Sequence, residues 1–67
     1  MRRDLAEAMM RSALALGPEM NQLSALSEQL EGEERRRIRM RIGDMMGGSA
    51  GIVLSISREY PDLDPDR

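Results

Sequence analysis

Arg35, Arg36, Arg37, Arg39 and Arg41 fall within one seven-residue stretch, the densest run of one charge in the chain. Guanidinium groups in such a run could neutralise phosphates, which makes the stretch the best nucleic-acid candidate, with Arg35, Arg36 and Arg39 as contacts. An acidic protein partner would be met by the same groups. On a helix the run does not form one clean face, because Met40 interrupts it on one side and Ile38 on the other. Glu31 precedes Arg35 by four residues and Glu33 precedes Arg37 by four. That order favours ion pairing along a helix. A solvated, salt-bridged surface is therefore the first expectation, and nucleic acid the second.

Catalysis finds few players. The chain has no His, Cys or Lys. The usual general base, the best nucleophile and the groups that would activate a serine are thereby missing. The acidic pair Glu33-Glu34 fits a helix start, where the dipole favours negative charge. Gly43 to Gly51 is glycine-rich, but a phosphate-cradling loop of the G-x-x-x-x-G-K-S/T kind needs a lysine. Zinc lacks ligands without His or Cys. Seven methionines could offer thioether sulfur to Cu(I), yet Met45 and Met46 are adjacent and diverge on a helix, which reads as core filling. The expectation is a non-enzymatic protein with no catalytic residues, no metal and no cofactor.

The elements that must position these residues are helical. Leu5, Met9, Ala13 and Leu16 recur at three- and four-residue steps and predict a helix over 3–16. Gly17-Pro18 should end it, since Gly caps helices and Pro disfavours helix in the preceding residue. Pro18 suits the first turn of a second helix over 18–30, with Met20, Leu23, Leu26 or Ser27, and Leu30 as its stripe. Glu31-Gly32 is read as a break, although one glycine leaves continuity open.

A third helix is expected over 33–59. Ile38, Ile42, Met45, Ser49, Ile52 and Ile56 step by four and three, as in a coiled-coil seam. Gly43, Gly47, Gly51 and Ser55 recur every four residues on the opposite side, flanked by Met40 and Leu54. Glycine is a poor helix former, so this stripe suggests close approach of another helix. A loop over 47–51 with a strand over 52–56 is the competing reading. A lone strand would lack a partner, so helix is preferred. Pro61 ends the helix; the acidic tail over 61–67 should be extended and partly disordered, with Tyr60 and Leu63 available to fold back.

Size decides the assembly. A chain of 67 residues hides only about 60% of its unfolded surface and is marginal alone. It has no cysteine for a disulfide and one aromatic residue, Tyr60. The expectation is an all-α fold, a helical hairpin plus a longer third helix, completed as a homodimeric helical bundle. Leu5, Met9, Leu16, Leu23, Leu30, Ile38, Ile42, Met45, Ile52 and Ile56 are the expected core. Met40, Gly43, Gly47, Gly51, Leu54 and Ser55 are the expected partner-binding surface, with the two faces of the third helix open to exchange.

The function expected is a small interaction or regulatory module, with itself as first partner and another protein as second. Nucleic acid is the alternative, and a membrane is disfavoured. The formal net charge of -2 creates no field that would draw in nucleic acid or an anionic membrane. All ten basic residues are arginine, as in proteins of GC-rich bacterial genomes. Met45 to Ser57 carries no charge but is shorter than the roughly 18–20 residues of a membrane span. The opening Met1-Arg2-Arg3-Asp4 does not read as a secretory leader, so the cytoplasm is the simplest location.

Overall fold

The computed structural model describes residues 1–66. It holds two long helices, α1 (Arg3–Ser27) and α2 (Gly32–Glu59), followed by a short 3-10 turn, Pro61–Leu63. The helices are antiparallel neighbours joined by a short connection over 28–31. The result is an elongated hairpin of 45 × 19 × 16 Å with a radius of gyration of 14.5 Å. A compact domain of this length would have a radius of about 11 Å.

The first correction concerns Gly17-Pro18. The segments expected as two helices, 3–16 and 18–30, are one continuous α1, so there is no third long helix. Pro18 lies inside the helix and removes the hydrogen bond its N–H would give to the Leu14 carbonyl. Two features offset this. Gly17 has no Cβ to meet the proline ring, which relieves part of the restriction on a residue before proline. The inward stripe also continues in phase across the site, from Ala13 through Gly17 to Met20 and Ser24, so helix on both sides is held by the same packing.

The real break comes later. The amides of Glu28, Gln29 and Leu30 bond back three residues, to Ala25, Leu26 and Ser27, and tighten the end of α1 into a 3-10-type turn. Gly32 then takes φ +58°, the one position among the described residues where the chain enters the left-handed region. Glu33 and Glu34 open α2 and Arg58 closes it, both in keeping with the helix dipole. The segment 52–56, weighed as a strand, is helical.

The seam between the helices follows a heptad-like rhythm. On α1, Ala6, Met10, Ala13 and Ser27 are buried, and Gly17, Met20 and Ser24 are half-buried. On α2, Ile42, Ile56 and Ser57 are buried, and Met46, Ser49 and Val53 half-buried. The steps of three and four residues match those of a left-handed pair. α1 supplies mostly small residues to the seam, with Met10 and Met20 among them, and α2 supplies Ile42, Met46, Val53 and Ile56 beside Ser49 and Ser57.

This seam corrects the expected core. Ile42 and Ile56 are buried, and Leu30 is half-buried. Leu5, Met9, Leu16, Leu23, Ile38, Met45 and Ile52 are exposed in the single chain, each between 39% and 50%. On α1 the inward positions sit one residue later, at Ala6, Met10 and Gly17. On α2 they are Met46 and Val53 rather than Met45 and Ile52. Small side chains hold most of the inner line of α1, and the large ones lie about 100° round the axis on the flank.

The tail is a further correction. Rather than extended chain, Pro61–Leu63 forms a turn, and Tyr60 and Leu63 pack on the Ala6, Met10, Ile56 cluster with Val53. Arg3 holds the turn in place by pairing with both oxygens of Asp62, and its guanidinium lies 5.7 Å from the centre of the Tyr60 ring. Arg3 also reaches Glu7 at 3.2 Å. The Asp62 hydrogen bond, more than any other contact, holds the Arg3 guanidinium above its ordinary pKa. Arg67, the last residue of the expected tail, lies outside the described residues.

Candidate interaction surface

Two helices related antiparallel turn corresponding flanks to the same side. On each helix, a residue one position before an inward residue lies about 100° round the axis. For α1 these are Leu5, Met9, Ser12, Leu16, Glu19 and Leu23. For α2 they are Arg41, Met45, Gly48, Ile52 and Ser55, with Ile38 one turn before Arg41 on the same side. Both sets face one side of the hairpin, and the large apolar members are exposed. An open groove of about 410 Å³ runs between them, lined by Ala8, Met9, Ser12, Ala13, Leu16 and Ile52. Leu16 and Ile52, from different helices, form its two walls. Side-chain size and spacing place these residues in the core, so the sequence does not mark this face as a surface.

The surface expected for a partner lies mostly elsewhere, with Ser55 alone next to this flank. Met40, Gly43, Gly47, Gly51, Leu54 and Ser55 are all exposed, on the flank and back of α2. They do not share one line. A four-residue repeat advances about 40° per step relative to the helix, so Gly43 begins on one flank and Ser55 ends near the other. A methyl group placed on Gly43, Gly47, Gly48 or Gly51 would meet no atom within 4 Å. Nothing within the chain therefore requires these residues to be glycine.

A second groove lies on the flank opposite Leu16 and Ile52. Leu14, Ala50, Val53 and Leu54 form its floor, and Asp64 and Asp66 reach its rim. The Ser57 hydroxyl borders it, buried and without a hydrogen-bond partner among the described residues.

The arginine run spreads round the first turns of α2, and every member is exposed. Neither expected pair forms between side chains. Arg36, rather than Arg37, bonds Glu33, at 3.3 Å and a spacing of three residues. Arg35 and Glu31 are linked through their backbones instead. Arg39 reaches across the hairpin and donates to the Ser27 hydroxyl at 3.4 Å, while that hydroxyl donates to the Ser24 carbonyl at 2.6 Å. Arg39 thus helps hold the helices together near the connection, and Arg35 and Arg36 are left facing water.

Among the described residues, no helix is long and apolar enough to cross a membrane. No group of three or more His, Cys, Asp or Glu side chains among them is arranged to hold a metal ion. Comparison of the chain with protein-family models, with curated proteins and with solved structures returns no match.

Proposed function

We propose that this chain is a small non-enzymatic interaction module that works as a homo-oligomer, using helix-on-helix association in place of a self-sufficient core. One observation carries the reading. The buried apolar set of the single chain is Ala6, Met10, Ala13, Ile42 and Ile56, while twelve large apolar side chains stand at 39% exposure or more. Two alanines, a methionine and two isoleucines are a small core for a chain of this length, and disulfide stapling is unavailable without cysteine. The exposed residues are not scattered. Seven of them share the flank that carries Leu16 and Ile52, and contiguous apolar surface of that kind marks association sites.

Native mass by light scattering tests the reading. The expected result is a multiple of the 7.6 kDa chain at micromolar concentration, with the melting midpoint rising as concentration rises. A concentration-independent single-chain mass with cooperative melting would remove its basis.

Nucleic-acid contact through Arg35, Arg36 and neighbouring Arg37 is the second reading. It is supported by Arg35 and Arg37 having no side-chain ion pair among the described residues. Retention on duplex DNA that falls steeply with salt would favour it.

A further inference from the structure

We infer that the face built by Leu5, Met9 and Leu16 of α1 with Ile38, Met45 and Ile52 of α2 is closed by a second copy of this chain, giving a four-helix bundle with the glycine-bearing back of α2 left to water. This rests on the association reading above and adds which face is used and which is not.

Area gives the first argument. The chain exposes 5130 Å². A compact monomer of 7.6 kDa would expose about 4,300 Å² by the usual scaling of surface with mass. The excess is about 800 Å², close to one partner's share of a standard protein interface. A second hairpin laid along the 45 Å length would absorb that excess and turn a thin rod into a stouter bundle.

The chemistry of the face gives the second. Each hairpin carries both knobs and a place to receive them. Leu16 and Ile52 line one groove together with Ala8, Ser12 and Ala13, so one copy can seat its large side chains against the small ones of the other. The flank lines carry one charge of each sign between Leu5 and Ile52, Glu19 on α1 and Arg41 on α2. A face laid on its own copy therefore meets no excess of like charge. The back of α2 has less to offer. Its large apolar side chain is Met40, and beside it lie Gly47 and Gly51, which expose backbone rather than removable apolar area.

Thiol protection tests the assignment. The chain has no cysteine, so a single introduced thiol reports on one site. Ser12→Cys places it in the proposed interface, and Gly47→Cys on the back of α2. Both positions are exposed in the single chain, so either thiol should label rapidly with maleimide when dilute. On concentration into the dimeric range, labelling of Ser12→Cys should slow by about tenfold or more, following the fraction dissociated, while Gly47→Cys stays fast. Circular dichroism on both variants establishes that the helices are present.

The outcomes separate. A wild-type chain with single-chain mass at every concentration overturns the association reading itself. A dimeric wild type in which Ser12→Cys labels at a constant rate overturns the face, and so does protection of Gly47→Cys. Protection confined to Ser12→Cys supports it.

Discussion

Replacing Gly43, Gly47 and Gly51 together by alanine asks whether the back of α2 meets anything. All three glycines have helical backbone, and an added methyl group at each would find no atom within 4 Å in the hairpin. Helix propensity then governs the outcome, at about 0.8–1 kcal/mol per glycine replaced by alanine in a helix interior. Three positions give about 2–3 kcal/mol of added stability per chain. For a domain of this length each kcal/mol moves the melting midpoint by about 4–8 °C, so a rise on the order of 10–20 °C is expected. Gly48 is left unchanged because it lies on the side of Met45 and Ile52, where the second copy is placed. The assay is a far-UV circular dichroism melt at one fixed chain concentration, paired with sedimentation equilibrium to show that native mass is retained. A lowered midpoint, or a variant that falls to single-chain mass, would refute the reasoning. Either result would mean that another backbone lies against the stripe, and that the glycines are there to admit it.

Other substitutions probe the hairpin itself. Ile56→Ala removes the most deeply buried large side chain, 1% exposed, from its contact with Ala6 and Met10, and should destabilise by about 2–5 kcal/mol in a denaturant titration. Ser57→Ala removes a buried hydroxyl without a partner among the described residues, so chemical denaturation should show stability unchanged or raised by about 1 kcal/mol, not lowered. Pro18→Ala restores a hydrogen bond to the Leu14 carbonyl in the middle of α1. Its thermal melt should show stabilisation of about 1–3 kcal/mol, the upper figure being the full penalty of an interior proline, and slower amide exchange through 14–22.

The helical class of the chain was legible from spacing alone, because three- and four-residue steps of apolar side chains run through both halves. The seam was legible only to within one residue. Sequence reading ranks positions by side-chain size, and on that ranking Leu5, Met9 and Leu16 outweigh Ala6, Ala13 and Gly17. Packing ranks them by how closely two backbones can approach, and on that ranking the small residues of α1 belong inside. Ile42 and Ile56 satisfy both rankings, which is why they were found. Pro18 misled for a related reason. Its local preference for a helix start was clear, but the phase of the inward stripe, continuous from Ala13 to Ser24, is a non-local signal that emerges only once α2 lies alongside.

The same displacement explains why the hairpin leaves a large apolar flank exposed. An inner line that includes Ala6, Ala13, Gly17 and Ser24 removes little apolar surface from water. The residues that could remove more have been moved to a flank that a two-helix structure has no third element to cover. Had Gly17-Pro18 broken α1, the segment after it could have swung round and covered Leu16 and Ile52 within one chain. Because α1 is continuous, no other element among the described residues covers them. The proline that stays inside the helix and the apolar face that stays in water are thus two consequences of one packing choice. On that argument, a variant whose α1 was severed at Gly17 by a flexible insertion should lose concentration dependence in its melting as its own second segment takes the partner's place. A severed variant that still associates as tightly as the parent would break the link between the continuous helix and the open face.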